Sequence, residues 1–441
     1  MAPRDGQDHE LSGATAEAAQ SIDAATRAFI LSYGDPIGYL DAAISGSPAC
    51  AMAWLAKGWI NNLSNDPKGI AAAQALLDTA RGLPANERER AHAKALDFAI
   101  AGRWDEAVAV LDRHLMAYPL DLLAHQVALR LDGFQGRFHL GAGRSARALP
   151  QWSTATPGYG MLLSFYGFGL EELGDYARAE DVSRQAAEME PLGYWPHHAV
   201  SHVLEMTGRP ADGVRWMQER APLWSSPKHT NRSHIWWHNA LFHVELGEYR
   251  EALSLYDRDI LPALRPTGTS LCNGTALLWR IETFDADVND RWAALVPLWA
   301  DRATGDISPF NDIHAAMTYL RTDKRPAFEA LLAVMRQSAA GGASLALAYK
   351  DVAIPVVEAL ERYTSGDYAG AVDKLFPVRH DLWRMGGSAA QRDIVDWTLV
   401  EAANRAGNRS VALALSNERL ASRPQSIPNR RFGNVAAGIA A

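Results

Sequence analysis

The chain has 441 residues, of which 48% are hydrophobic and 21% charged, and its formal net charge at pH 7 is −8. This composition excludes wholesale disorder, and the acidic balance disfavours nucleic acid as a partner. Cys50 and Cys272 cannot form a disulfide framework, which favours a cytoplasmic protein. The sequence shows neither a secretory signal nor an apolar run of eighteen residues, so no membrane association is predicted.

A short motif recurs along the chain: glycine, any residue, an aromatic residue, two further residues, then alanine. Full or looser copies begin, in chain order, at Gly102, Gly174, Gly208, Gly247, Gly366 and Gly407. Pro119 and Pro191 each follow a motif glycine by 17 residues, where they would end a helix. A glycine that adopts positive φ at the end of one helix, with a small alanine at the start of the next, predicts a helix–turn–helix corner.

The glycine, aromatic, alanine and closing proline, with two of the glycines 34 residues apart, resemble a tetratricopeptide repeat. Four further blocks are similar, in the same order, to blocks of the tetratricopeptide repeat protein 38 family: HAVSHVLEMTGR (198–209), HIWWHNAL (234–241), LLWRIE (277–282) and FNDIHA (310–315). The resemblance covers about residues 30–420. It implies a helical-repeat fold and no particular activity.

The residues themselves predict the same fold class, because strand signals are nearly absent and Ala-rich amphipathic segments dominate. We expect an all-α, right-handed helical-repeat superhelix of the tetratricopeptide-like α-solenoid type; the pattern does not decide whether it closes around a central pocket. One domain is predicted over residues 21–423, with a disordered tail at 1–20 and a C-terminal tail at 424–441. Pro222–Asn231 and Leu261–Asn273 interrupt the period and are predicted to be loops.

The first helix of each repeat is predicted to face a concave groove, and the middle of that face is unusually polar. At 100° per residue, a His-x-x-x-His pair and a following glutamate share one face of a helix. Two neighbouring first helices each carry such a set: His198, His202 and Glu205, then His234, His238 and Glu245.

Three interpretations of these four imidazoles and two carboxylates stay open. In the first, the four histidines ligate a divalent metal, since histidines four residues apart can bind one ion. In the second, the cluster works as general acid and base, and no cofactor is required. In the third, these are hydrogen-bonded polar residues of a helical interior. The His-x-x-x-His spacing is far less specific for a metal than HExxH, which the sequence lacks.

Asp312 and His314 form a second candidate group. They follow Ser308-Pro309, which reads as an N-cap and the first helical position, so both are predicted near the first turn of a helix. An aspartate there is favoured by the helix dipole. Alternatively, Asp312 hydrogen-bonds a histidine of the central cluster and fixes its tautomer.

Three further residues are candidates for ligand binding. Arg280 is predicted either to anchor a carboxylate or phosphate group, or to form a buried ion pair with Glu282 or Asp312. Trp237 is predicted as a wall of the groove. His125 is interpreted first as a residue next to the core and second as a ligand.

Two functions from different classes follow. The first is a site that is lined by the His/Glu/Asp cluster, binds a small molecule and carries out hydrolytic or acid–base chemistry on it. If the protein is an enzyme, this chemistry would make it a hydrolase or a lyase. The second is a non-catalytic module that binds a peptide or protein in the concave groove. The inward polar residues cluster in the middle of the chain and form no continuous track, which favours the pocket. The oligomeric state is not predicted.

Overall fold

The computed structural model of the protein describes residues 3–284, 286–341 and 344–439. Within these ranges the regular secondary structure is helical, and the only β-type pairings are two isolated bridges, Arg4 with Glu10 and Tyr33 with His229. The prediction of an all-α helical-repeat protein is confirmed. None of the described helices combines the length and the apolarity that crossing a bilayer requires.

The first half of the chain forms α1 to α12, joined mostly by short turns. These helices are α1 Ala16–Leu31, α2 Pro36–Gly46, α3 Ala51–Asn62, α4 Pro67–Arg81, α5 Glu87–Ile100, α6 Trp104–Ala117, α7 Leu122–Phe134, α8 Leu140–Ala148, α9 Tyr159–Glu172, α10 Tyr176–Met189, α11 Tyr194–Met206 and α12 Pro210–Trp224.

The second half forms α13 to α24 and includes two short π-helical segments, Tyr256–Ile260 and Tyr349–Ala353. These helices are α13 Arg232–Glu245, α14 Tyr249–Leu255, α15 Gly268–Glu282, α16 Arg291–Trp299, α17 Pro309–Arg321, α18 Arg325–Ala339, α19 Ser344–Ala348, α20 Ile354–Thr364, α21 Tyr368–Leu375, α22 Ala389–Arg405, α23 Arg409–Ser422 and α24 Ile427–Ala437.

The contacts group the chain into two compact units, where the sequence predicted one domain over residues 21–423. The first unit is the chain up to Val200 together with Leu223–Asn231. The second unit is Ser201–Pro222 together with the chain from Arg232 onward. The division therefore falls inside α11 and again inside α12. Sequence patterning could not place it, because the helical period continues through both points.

The predicted glycine corners are confirmed, and they share one hydrogen-bonding pattern. At the corner between α9 and α10, Gly174 has a φ of 81°, its amide donates to Glu171 O at 2.8 Å, and the Asp175 amide donates to Leu170 O at 3.0 Å. This pair of bonds is the Schellman motif, which satisfies the last carbonyls of the first helix. The motif glycines all have φ between 66° and 87°: Gly102, Gly174, Gly208, Gly247, Gly366 and Gly407.

Two further corners lack the complete glycine–aromatic–alanine motif. Gly136, with a φ of 68°, turns the chain between α7 and α8, and it keeps the motif's aromatic residue, Phe138, but has Gly141 in place of the alanine. Asp323, with a φ of 52°, does the same between α17 and α18, and the Lys324 amide donates to Tyr319 O at 2.9 Å. Aspartate tolerates the left-handed region better than most residues do, so this corner carries no glycine to reveal it.

The chain ends differ from the predicted tails. Within residues 1–20, Leu11 is fully buried and α1 already begins at Ala16. Within residues 424–441, α24 spans Ile427–Ala437, and its Phe432 packs with a ring-centroid distance of 5.2 Å to Trp397. Apolar contacts of this kind hold both segments against their own unit, and composition alone could not show them.

Both predicted loops are partly helical. Pro222 lies inside α12, and Gly268–Asn273 forms the first turns of α15. Two indole bonds fix α15 against α22: Trp279 Nε1 donates to Thr398 Oγ1 at 2.9 Å, and Trp397 Nε1 donates to Thr283 Oγ1 at 2.8 Å. These bonds hold the helix that carries Arg280.

Candidate functional site

Three consecutive first helices bring the polar cluster of the second unit together. Helix α11 supplies His202 and Glu205, α13 supplies His234 and His238 one turn apart, and α15 supplies Asn273. Residues spaced by three or four positions share one helix face, which is why each helix delivers its side chains to the same place. All five are buried except His234, which is half-buried. We call His202, His234 and His238 the imidazole cluster.

A row of short polar contacts runs through this cluster. Glu205 Oε2 lies 3.1 Å from His238 Nδ1. On the other side of the same ring, His238 Nε2 lies 3.2 Å from His234 Nε2. His234 Nδ1 then lies 2.7 Å from Asn273 Oδ1. The ring of His202 completes the group, with its centroid 4.7 Å from that of His238.

Trp237 fixes the orientation of two of the imidazoles. Its ring stacks on His234 with a centroid distance of 5.2 Å and an interplanar angle of 18°. It meets His238 at 4.8 Å and 69°, an edge-on contact. Because the Trp237 side chain is only 1% exposed, this packing leaves both rings little freedom. The structure thus places Trp237 against the imidazoles, whereas the sequence predicted a groove wall.

Arg280 is a buried guanidinium that makes no ion pair with any residue the structure describes. It is 2% exposed, and its Nη1 and Nη2 donate to the carbonyl oxygens of Ala276 at 3.2 Å and Ala390 at 3.4 Å. Its guanidinium also lies 5.8 Å from the centre of the Trp237 ring. Burial lowers the pKa of Arg280 to about 10, although Asp393 and Glu205 oppose the shift. Arg280 is therefore still charged at neutral pH.

The ion pairs predicted for Arg280 do not form. Glu282 pairs with Arg321 instead, and it also accepts a hydrogen bond from Trp292 Nε1 at 3.1 Å. Asp312, the other predicted partner, is occupied by neutral donors. The side chain of Arg280 leaves the helix towards α22, whereas Glu282 follows two positions later on another face.

Other buried and half-buried charges of the second unit compensate one another. Asp393 accepts two hydrogen bonds from Arg419, at 2.8 and 3.0 Å, and one from Arg423 at 3.4 Å. Although burial raises the pKa of Asp393, Arg419 and Arg423 outweigh it and hold that pKa well below its usual range. Glu245 lies 3.8 Å from Arg423, so this predicted ligand-binding residue belongs to the same ionic group.

Burial shifts the pKa values of Glu205 and His238 towards their neutral forms. Burial raises the pKa of Glu205, against the opposing charges of Arg423 and His202. Burial, followed by the charges of His202 and Arg280, holds the pKa of His238 well below its usual value. The His238 imidazole is therefore neutral at pH 7 and keeps one nitrogen lone pair.

Asp312 and His314 lie where the sequence predicted, in the first turns of α17 behind the Ser308 N-cap. Asp312 Oδ1 accepts from the amides of Thr304 and Gly305, both at 3.1 Å, and Oδ2 accepts from the Tyr349 hydroxyl at 2.5 Å. These donors replace the histidine that the sequence predicted as its partner. Burial raises the pKa of Asp312 to about 7. Its contacts are those of a structural residue.

His314 and His125 each hydrogen-bond to a backbone carbonyl oxygen. His314 Nδ1 donates to Phe310 O at 2.8 Å, and burial lowers the pKa of His314 to about 4. In the first unit, His125 Nε2 donates to Pro119 O at 3.1 Å, and burial likewise lowers the pKa of His125 to about 4. This matches the interpretation of His125 as a residue of the core.

His198 belongs to the first unit. It is buried, and its ring stacks with Tyr194 at a centroid distance of 4.7 Å and with Phe168 at 4.9 Å. Its aromatic surroundings therefore come from α9 and from the first turn of α11.

The first unit holds its own buried histidine group, centred on Asp121. A single oxygen, Asp121 Oδ2, is approached by Arg88 Nε at 2.6 Å and by the Nε2 atoms of His92 and His114, both at 3.0 Å. Trp59 Nε1 donates to the remaining nitrogen of His92 at 3.1 Å. Burial raises the pKa of Asp121, but Arg88 and then His92 outweigh it and hold that pKa well below its usual range.

Sequence reasoning missed two residues that matter to the second-unit site. Asn273 contacts His234 but sits in an Asn-Gly pair, which predicted a loop. Asp393 lies far along the chain from its arginines and carries no local signal. Asn273 lies 39 residues after His234, close to the length of one repeat, and this spacing was the available clue.

No protein-family model matches this chain. The resemblance to the tetratricopeptide repeat protein 38 family therefore stays a prediction from the sequence. The geometry itself defines a helical-repeat protein. One of its units buries an imidazole cluster and an arginine, Arg280, that forms no ion pair with a described residue.

Proposed function

We propose that the second unit binds a small anionic molecule at Arg280, and that the imidazole cluster carries out hydrolytic or acid–base chemistry on it. The observation that carries the proposal is the buried charge of Arg280, which lacks any carboxylate partner among the described residues. A buried charge that no carboxylate hydrogen-bonds is costly, although the charges of Asp393 and Glu205 offset part of that cost.

The guanidinium suits a carboxylate or phosphate ligand. It is planar, stays charged, and offers donors in a fork that matches two anionic oxygens. Two of its nitrogens hold only long bonds to backbone carbonyls, at 3.2 and 3.4 Å. An anionic group would bind these donors more tightly than a carbonyl does, because hydrogen bonds between charged groups are roughly twice as strong.

The imidazoles supply the chemistry in this proposal. Glu205 and His238 are both influenced by the charge of Arg280, which indicates that the carboxyl, the ring and the guanidinium share one region. An anion held at Arg280 would thus lie beside groups able to accept and donate protons. His234 is the most exposed member of the cluster and is the natural contact to a ligand.

A peptide-binding module is the alternative, since helical repeats commonly present a groove to peptides. The depth of Arg280 favours a small molecule, because a side chain that is 2% exposed is out of reach of an extended peptide on a surface. We also infer membership of the tetratricopeptide repeat protein 38 family from the matching blocks, and a cytoplasmic location. The two cysteines are free and buried, as is usual in a reducing compartment.

The test is a thermal-shift titration with inorganic phosphate and with succinate, comparing wild type, Arg280→Met and Arg258→Met. Arg258 is an exposed arginine of the same unit and serves as the matched control. We expect one of the anions to raise the melting temperature of the wild type and of Arg258→Met in a dose-dependent manner. No response should remain in Arg280→Met. Equal responses in all three proteins would refute the anion site.

A second assay addresses the chemistry. The p-nitrophenyl esters of phosphate and of a short carboxylic acid report hydrolysis by absorbance. We expect His238→Gln to lower turnover by about 100-fold or more while the anion-dependent thermal shift remains. Unchanged turnover in His238→Gln would remove the imidazoles from the proposed chemistry and leave the binding site standing.

A further inference from the structure

The Nε2 atoms of His234 and His238, two members of the imidazole cluster, are separated by a distance close to that between two nitrogen ligands of one metal ion. His234 Nε2 and His238 Nε2 are 3.2 Å apart. With Zn–N bonds of about 2.0–2.1 Å, two ligand nitrogens of a tetrahedral site lie about 3.3 Å apart. The two rings are thus already spaced as two ligands of one tetrahedral ion.

The opposite nitrogens of both rings face oxygen atoms. His238 Nδ1 lies 3.1 Å from the Glu205 carboxyl, and His234 Nδ1 lies 2.7 Å from Asn273 Oδ1. Metal-bound histidines almost always donate the other ring N–H to a carboxylate or carbonyl oxygen, which fixes the tautomer. If both Nδ1 atoms carry the proton, both Nε2 atoms are acceptors 3.2 Å apart, and a cation bound by the two lone pairs would remove the repulsion between them.

A third imidazole is within reach of the same point. One ring nitrogen of His202 lies within 4.8 Å of ring nitrogens of both His234 and His238. To reach a tetrahedral spacing, this ligand would have to close a gap of at most about 1.5 Å. Its neighbour Glu205, three residues on, already contacts His238, so the same helix face delivers both groups.

The histidine group of the first unit already contains a cationic side chain, that of Arg88. There, Arg88 donates to the one Asp121 oxygen that His92 and His114 also approach. The guanidinium occupies the position where a metal ion would bind that carboxylate. In the imidazole cluster, by contrast, the Nε2 atoms of His234 and His238 lie 3.2 Å from each other.

We propose that His202, His234 and His238 bind one first-row divalent cation, Zn²⁺ foremost, with Glu205 and Asn273 orienting the rings. Three nitrogen ligands leave a fourth position for water or a ligand atom, as in zinc enzymes. The proposal deepens the function proposed above and rests on it only for the role of the ion. A metal there would act as a Lewis acid on an anionic group held by Arg280.

The experiment is a titration of metal-stripped protein with Zn²⁺ alone by calorimetry, and with Co²⁺ alone by visible absorption. We expect one equivalent to bind, a rise in melting temperature that a chelator reverses, and the intense Co²⁺ bands of a tetrahedral site. His238→Gln should abolish these effects, and Glu205→Gln should weaken Zn²⁺ binding by about 10–100-fold. Circular dichroism and the melting temperature without metal establish that each variant is folded.

Two control variants separate the possible failures. His92→Gln removes a buried histidine of the first unit and should bind Zn²⁺ like the wild type, whereas a loss in this variant would move the site to Asp121. Arg280→Met should keep Zn²⁺ binding while losing the response to phosphate or succinate. Absence of Zn²⁺ and Co²⁺ binding in the wild type would overturn the metal proposal and leave the anion response to be judged by itself.

Discussion

Replacing Arg280 by methionine should stabilise the protein while removing its anion response. Lowering the pKa of Arg280 from 12.5 to about 10 corresponds to a cost of about 3 kcal/mol for carrying the charge in the fold. Methionine has a similar length and packs well against Trp237. The two lost hydrogen bonds, to Ala276 O and Ala390 O, offset part of the gain at about 1 kcal/mol each.

The net effect is a free energy of unfolding that rises by about 1 kcal/mol. It can be measured by urea unfolding of the second unit, followed by far-ultraviolet circular dichroism. The matched control is Arg419→Met, because Arg419 forms two hydrogen bonds with Asp393 at 2.8 and 3.0 Å. Breaking that pair should lower the free energy of unfolding by about 3 kcal/mol. If Arg280→Met destabilised the protein as Arg419→Met does, Arg280 would be a structural residue and the reasoning would fail.

Three further outcomes follow from the described contacts. Gly174→Ala should lower the free energy of unfolding by about 1 kcal/mol, because the φ of 81° strains any residue with a Cβ even though no other atom would contact it. Gly143→Ala, in the middle of α8, should raise that free energy by about 0.5–1 kcal/mol. The urea unfolding midpoints of the two variants compare these effects directly. His125 has a pKa of about 4 in the folded protein and stays neutral there, whereas unfolded His125 takes up a proton below about pH 6.5. The stability that is present above pH 6.5 should therefore be lost as the pH falls towards 4. In thermal melts at stepped pH, His125→Gln should lose about 3 kcal/mol less than the wild type over that interval, and a pH profile identical to that of the wild type would contradict this. Asp312→Ala should lower the free energy of unfolding by about 2–4 kcal/mol, because three hydrogen bonds are lost, and it should keep the anion response. Loss of the anion response in a folded Asp312→Ala protein would show that Asp312 belongs to the functional site.

The corners and the helix faces could be predicted because they depend on local chemistry. Gly174 must turn the chain whatever surrounds it, since only glycine adopts its backbone conformation without strain. His234 and His238 share a face because the helix period alone determines it. The helix period therefore placed His234 and His238 on one helix face.

What the sequence could not supply was the partner of each side chain. The sequence allowed an ion pair of Arg280 with either Glu282 or Asp312. Only the packing of α15 on α22 directs the Arg280 side chain to Ala390 O. Asp312 accepts a hydrogen bond from Tyr349, 37 residues further along the chain, and not from a histidine. The division into two units is equally a property of contacts between distant residues, which no local pattern encodes.

The most direct test of the account is a histidine-labelled carbon-13 spectrum recorded while inorganic phosphate or succinate is added to metal-free protein. His234 and His238 signals are assigned from their glutamine variants, and the His125 signal serves as the internal control. We predict that the anion which raises the melting temperature shifts the His234 and His238 signals with the same dissociation constant, leaves His125 unmoved, and shifts neither cluster signal in Arg280→Met. Anion binding without a shift at either cluster histidine, or identical shifts in Arg280→Met, would contradict the claim that Arg280 and the imidazoles form one site.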